Sequence, residues 1–161
     1  MKKQVLLGTI PVRPHLYNIA MITENRIDTG FLDLSNGTLI AYQLNSLLHG
    51  KTILPTREDH EEALSNSKDL YFRFTATHLA RGRVAFKKSH ITFFNKWLHL
   101  FMHELLEIKI HLGKNYGLAE AEVIWNFISE YELDGLIEFD ALKKTQQRVR
   151  NRKKIYENHG F

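Results

Sequence analysis

The residues best suited to bind a ligand lie close together near the C-terminus. Seven of the polar side chains between residues 143 and 154 are the candidates, and they are Lys143, Lys144, Gln147, Arg148, Arg150, Asn151 and Lys154. Lysine and arginine neutralise phosphates, arginine can bind guanine through two hydrogen bonds, and asparagine and glutamine can bind adenine in the same way. These residue types in one short segment are typical of a surface that contacts nucleic acid.

A helix over residues 138–156 would sort these side chains by face. With about 100° between successive residues, its narrow apolar stripe consists of Phe139, Leu142, Val149 and Tyr156. The opposite face carries Lys144, Gln147, Arg148, Asn151 and Lys154, with Lys143 and Arg150 at its margins. We expect Lys143, Arg150 and Lys154 to hold phosphates, and Lys144, Gln147, Arg148 and Asn151 to face base edges.

The charge pattern changes sign sharply at the start of this helix. Residues 115–140 contain seven acidic side chains and no lysine or arginine, whereas residues 141–154 contain seven basic side chains and no acid. The net charge of the whole chain is only +4. The local excess therefore favours a polyanionic partner, and double-stranded DNA is the partner we expect.

Two further helices are predicted ahead of this one, over residues 89–112 and 118–131. The first has an apolar stripe at steps of three and four, formed by Phe94, Leu98, Phe101, Leu105, Ile108 and Leu112 and widened by Trp97 and Met102. The second has an apolar face formed by Ala121, Ile124, Trp125, Ile128 and Tyr131. Two helices, a break containing glycine and a basic third helix are what a helix-turn-helix needs, with the last helix entering the major groove.

The N-terminal half is predicted to contain strands and one short helix. Pro11 and Pro14 indicate extended backbone over residues 5–12 and argue against a regular helix through that stretch. We predict a short strand at 31–34, a helix near 38–49 and an alternating strand at 70–76 that pairs with residues 84–86. The expected fold class is α+β, with a β-containing region over residues 1–88 and a helical region over residues 89–161.

The C-terminal segment also resembles known proteins. Residues 119–154 resemble the helix-turn-helix DNA-binding domains of regulators and mobile-element proteins. The N-terminal Pro14-His15-Leu16, taken with residues 140–144 and the spaced arginines, is similar to small proteins of bacterial prophages and transposable elements. The resemblance implies DNA binding in transcription control or transposition. A homodimer is expected only because such proteins commonly bind paired half-sites.

A second basic cluster lies outside this helix. It consists of Arg73, Arg81, Arg83, Lys87 and Lys88 on the proposed strand pair and its loop. A basic ribbon of this kind can follow a phosphate backbone, although an ordinary solvent-facing hairpin is the more common explanation.

Alternatives to DNA binding remain open. The basic helix could dock on an acidic protein, as an assembly factor would, or on residues 120–140 of a second copy, or it could be an ordinary solvated face. Alternatively, His99, His103 and Glu107 share a helix face and could ligate a metal in a hydrolase, or could form a hydrated polar face with Lys96.

The remaining composition argues against most enzyme classes. Cysteine is absent from the 161 residues, and the chain has no phosphate-binding loop, dinucleotide glycine pattern or Gly-x-Ser-x-Gly elbow. An acidic run at residues 58–62, with Asp28 or Asp33, could supply nuclease carboxylates but more commonly faces solvent. We expect a non-enzymatic cytoplasmic protein without cofactor, bound metal or membrane segment.

Overall fold

Three short strands form a mixed sheet in the N-terminal half. The structure, a computed structural model, describes residues 7–35, 37–48, 66–74 and 86–158, with side chains through residue 152. Strands β1 (Leu7–Val12), β2 (Leu32–Asp33) and β3 (Lys68–Arg73) lie in the order β1-β3-β2. The central strand β3 pairs antiparallel with β1 and parallel with β2.

The alternating pattern of β3 is confirmed. Leu70 and Phe72 are buried while Tyr71 between them is exposed, because successive side chains of a strand point to opposite faces. The strand begins at Lys68, two residues before the predicted start. Phe74 and Phe86, expected in this strand and its partner, lie in no strand, and the neighbours of β3 in the described sheet are β1 and β2. Residues 75–76 and 84–85 lie outside the described residues.

The extended backbone expected over residues 5–12 is confirmed for β1, whereas the helix that follows β1 directly was not predicted. Helix α1 (Pro14–Thr23) begins with Pro14 in its first turn. Proline is favoured at this position because its missing N–H would have no intrahelical partner there and its φ is already helical. Arg13 before it is extended (φ −62°, ψ 143°), as a residue preceding proline prefers.

The predicted strand, turn and helix over residues 31–49 are confirmed. Helix α2 (Leu39–Leu47) follows β2, and the Thr38 side chain caps it by accepting a hydrogen bond from the Ala41 amide at 3.4 Å. Ile40, Ala41 and Leu44 of α2 are buried. They contribute to the core of the N-terminal unit.

Three helices make up the C-terminal half, as predicted, so the α+β class is confirmed. They are α3 (Lys88–Asn115), α4 (Glu120–Glu130) and α5 (Phe139–Asn158). The chain forms two compact units, Met1–Leu98 and His99–Phe161. The boundary between them lies within α3, ten residues beyond the 88/89 boundary expected from the sequence. No helix in the described part of the chain is long and apolar enough to cross a membrane.

The buried stripe of α3 agrees with the predicted one at Phe94, Leu98 and Met102 and departs from it further along the helix. Ile108 and Leu112 are 56% and 51% exposed, whereas Leu106 and Ile110 are buried. Both pairs continue the helical spacing, so periodicity alone could not choose between them. Packing in the C-terminal unit selects the second pair.

The apolar face of α4 also needs correction. Trp125, expected inside, is 55% exposed, and Ala121 is exposed as well. Val123 and Phe127 are buried in their place, beside the correctly predicted Ile124 and Ile128. The buried face of α4 is therefore rotated relative to the predicted one. Phe127 has a large side chain that fills the core, whereas Trp125 stacks on Phe139 at the edge of the core.

Candidate nucleic-acid interface

Helix α5 is held in the C-terminal unit by apolar contacts near its beginning. The ring of Phe139 stacks on Trp125 of α4 with centroids 4.8 Å apart and planes 16° from parallel. Leu142, one turn later, is fully buried. These contacts fix which face of α5 turns inward, and therefore which face is left for a ligand.

A buried glutamine continues this inward face. The Gln146 side chain is fully buried, and its Nε2 donates to Oε2 of Glu107 on α3 at 2.6 Å. On its other side, Gln146 Oε1 lies 2.7 Å from Nδ1 of His103, which is also buried. One amide thus joins two polar residues of α3 to α5.

The network determines the tautomer of His103. A carboxylate can only accept hydrogen bonds, so the amide nitrogen of Gln146 must face Glu107 and its oxygen must face the imidazole. The hydrogen between the two is therefore carried by Nδ1 of His103. Burial lowers the pKa of His103, although Gln146 and the nearby Glu104 act to raise it, so the neutral imidazole is favoured.

The next residue on this side of α5, Arg150, is bound within the protein. Its Nε donates to Glu107 Oε2 at 2.7 Å, and one terminal nitrogen donates to both oxygens of Glu120 on α4, at 2.9 and 3.1 Å. Burial acts to lower the pKa of Arg150, but its two carboxylate partners raise it overall. The guanidinium links α3, α4 and α5, and it does not lie on the exposed face of α5 with the other basic side chains.

The four residues expected to face base edges are brought together on the outer face of α5. Lys144, Gln147, Arg148 and Asn151 are all exposed, and none has a hydrogen bond or ion pair among the described residues. Seven residues separate the first from the last, which is roughly 10 Å along a helix. That length suits the major groove, which is about 12 Å wide.

The other predicted phosphate contacts are placed differently. Lys143 is half-buried, with its ammonium 6.0 Å from the centre of the Phe139 ring. Lys154 lies in α5 beyond the described side chains. Arg152, which was not among the predicted contacts, is exposed one turn after Arg148 and extends the basic face.

The second basic cluster is not assembled in the described residues. Arg73 is paired with Asp33 of the adjacent strand β2. Lys87 precedes α3 and Lys88 is its first residue, so neither lies on a strand as expected. Arg81 and Arg83 lie outside the described residues.

The proposed metal ligands are placed in different surroundings. The rings of His99 and His103 touch edge to face, with centroids 4.7 Å apart, while Glu107 binds Gln146 and Arg150. His103 is buried, so these residues do not form the hydrated face considered above. Among the residues that the structure describes, no three histidine, aspartate or glutamate side chains are placed to hold one metal ion.

The described carboxylates that were considered as nuclease residues also have other surroundings. Asp33 accepts hydrogen bonds from both the amide and the hydroxyl of Ser35, and it pairs with Arg73. The Ser35 hydroxyl is the largest influence that lowers the pKa of Asp33. Asp28 lies in an exposed turn, and the acidic run at 58–62 is outside the described residues.

The chain matches no protein-family model, no curated protein and no solved structure. Its function therefore has to be inferred from the residues themselves.

The sequence argument missed Gln146 and the partners of Arg150. A signal was present, because Gln146 falls four residues after Leu142 and three before Val149, in the middle of the apolar stripe. A polar residue at such a position is buried and needs a partner. Arg150, one turn later, lies at the edge of the same stripe.

Proposed function

We propose that this protein binds double-stranded DNA through the outer face of α5. The observation that supports the proposal is that the polar side chains of this helix have different surroundings on its two faces. Arg150 is neutralised by Glu107 and Glu120, whereas Lys144, Gln147, Arg148 and Asn151 are held outward with no partner among the described residues. A surface of basic and amide side chains is suited to phosphates and base edges.

The structure revises the expected assignment of roles on this face. Arg148 and Asn151 are the residues we assign to base edges, with Gln147 beside them. Lys144 and Arg152 flank this group and are assigned to phosphates. Arg150 becomes a positioning residue, because its ion pairs fix the rotation of α5 without contacting the ligand.

The acidic residues restrict where DNA can lie. Asp140 is in the first turn of α5, and Glu138 immediately precedes the helix. Negative charge there is favourable for the helix itself, since it complements the positive end of the helix dipole. It repels phosphates, however, so the contact is expected on the later turns of α5, from Lys144 onward.

The deciding experiment is a fluorescence-anisotropy titration of a labelled random duplex of about 30 base pairs, long enough for two half-sites. Wild type should bind in a salt-dependent way, and Arg148→Ala should weaken binding by roughly three- to tenfold. Lys96→Ala is the matched control, because it removes one exposed positive charge from the other unit. No binding by wild type at low salt, or equal losses in both variants, would refute the proposal.

Base reading has its own test. Selection of preferred sequences from a random library should give a weaker preference for Arg148→Ala with Asn151→Ala than for wild type. An equal loss of affinity on every sequence would assign both residues to phosphates instead.

A further inference from the structure

An open cleft of about 510 Å³ lies at the turn between α4 and α5. Its walls are Trp125 and Ile128 of α4 together with residues 134–139. Trp125 and Leu136 are 55% and 42% exposed. Large apolar side chains exposed together in a concave site are typical of places where another molecule docks.

The rim of the cleft is acidic. Asp134 and Glu138 are both among its lining residues, and none of the lining residues is basic. Neither carboxylate has a hydrogen bond or ion pair among the described side chains. Glu120 and Glu130 do not add to this charge, because they are paired with Arg150 and Lys109. Lys143 lies 6.0 Å from the centre of the Phe139 ring in the wall.

We propose that the cleft binds a segment of a partner protein in which lysine or arginine alternates with large apolar residues. The apolar side chains would cover Trp125 and Leu136, and the cations would pair with Asp134 and Glu138. The exposed indole face can also attract a cation directly. Charge complementarity excludes nucleic acid from the same cleft, because its phosphates would meet unpaired carboxylates.

This partner site is separate from the DNA-binding surface. The cleft at the turn between α4 and α5 is acidic and apolar, whereas the outer face of α5 from Lys144 onward is basic. The two ligands have opposite charge, so each is directed to its own surface. The cleft can therefore hold its partner whether or not the protein binds DNA.

The test uses the full chain and a short fluorescein-labelled peptide in which lysine and arginine alternate with leucine and phenylalanine. We expect saturable binding that Trp125→Ala weakens about tenfold or more. Asp134→Asn with Glu138→Gln should weaken it about fivefold at low salt. Asp140→Asn removes a charge that does not line the cleft, and should change affinity less than twofold.

A second measurement, made on the wild-type protein, keeps the proposal testable if Trp125→Ala does not fold. The chain has two tryptophans, so the indole N–H resonance of Trp125 should shift on titration while that of Trp97 stays in place. The Arg148→Ala, Asn151→Ala variant should bind the peptide as wild type does, which separates this proposal from DNA binding.

Three outcomes would overturn the proposal. They are no saturation at about 1 mM peptide, affinity unchanged by the Asp134 and Glu138 substitutions, and a peptide with serine in place of leucine and phenylalanine binding equally well. If the peptide dissociates a dimer in sedimentation equilibrium, the natural occupant is a second copy, and the assignment to a different partner is wrong.

Discussion

Arg150 of α5 and Glu107 of α3 form an ion pair in which Nε lies 2.7 Å from Oε2. The side chains are only 23% and 36% exposed, and Glu120 binds the same guanidinium from α4. A single arginine therefore joins the three helices of the C-terminal unit. Two faces of the same helix thus serve different purposes, since Arg148 is exposed and Arg150 is enclosed.

Arg150→Ala should destabilise the protein by about 1–3 kcal/mol, because it leaves two partly buried carboxylates without their cation. Arg148→Ala should change the free energy of unfolding by less than about 0.5 kcal/mol. Urea denaturation followed by circular dichroism measures both. Similar values for the two variants would contradict the assignment of Arg150 as a positioning residue.

Gln146→Leu should cost about 1–3 kcal/mol, since leucine fills a similar volume but leaves His103 and Glu107 without the amide between them. The same network requires the neutral imidazole of His103 to carry its hydrogen on Nδ1. Nitrogen NMR of the ring identifies that tautomer, and Gln146→Leu should reduce its population. A hydrogen found on Nε2 of wild type would show that the amide is oriented the other way.

Stability should fall as the pH is lowered below about 6.5. Burial keeps the pKa of His103 below its ordinary value of 6.5, so the unfolded chain takes up this proton at a higher pH than the folded protein. Between the two pKa values the unfolded state binds more protons, and acid favours it. His103→Asn should flatten the dependence of the unfolding free energy on pH in this window.

His90 provides the control for that measurement. Its pKa is also lowered, by burial and by the charge of Lys87, so its contribution has the same sign. His90→Asn should remove its own share and leave that of His103. If His103→Asn leaves the slope unchanged while His90→Asn removes it, the imidazole of His103 is not the group responsible.

Glu107 acts in a separate, more acidic window. Burial raises its pKa, but hydrogen bonds from Arg150 and Gln146 and the charge of Arg150 bring it below the ordinary 4.5. Its stabilising contribution is thus complete above about 4.5 and is lost as the pH falls through the folded pKa. Arg150→Ala should reduce this loss, which acid titration of the unfolding free energy can measure.

The salt dependence of DNA binding should count the phosphate contacts. Each lysine or arginine that neutralises a phosphate contributes about 0.9 to the slope of log affinity against log salt. Lys144→Ala and Arg152→Ala should each flatten the slope by about one unit, whereas Lys96→Ala should not. Slopes identical to that of wild type would remove these two residues from the interface.

Local sequence determined much of the architecture. Alternation identified β3, and helical periodicity identified α2, α3, α4 and α5, because these patterns record which face an element buries. The exposure of Lys144, Gln147, Arg148 and Asn151 on α5 was predicted for the same reason, because they lie opposite the apolar stripe. Helix α1 was not predicted, because a proline that ends an extended segment can also be the first residue of a helix.

Tertiary structure decided which residues are buried where helical periodicity allowed more than one choice. The later turns of α3 carry two possible apolar stripes, and only packing in the C-terminal unit shows that Leu106 and Ile110, rather than Ile108 and Leu112, are buried. It also decided that Arg150 faces Glu107 and Glu120, which are 43 and 30 residues away in sequence. Charge and spacing along one helix determine which residues share a face. The partners of those residues depend on helices brought together by folding, because a buried polar group must find its complement wherever the chain supplies one.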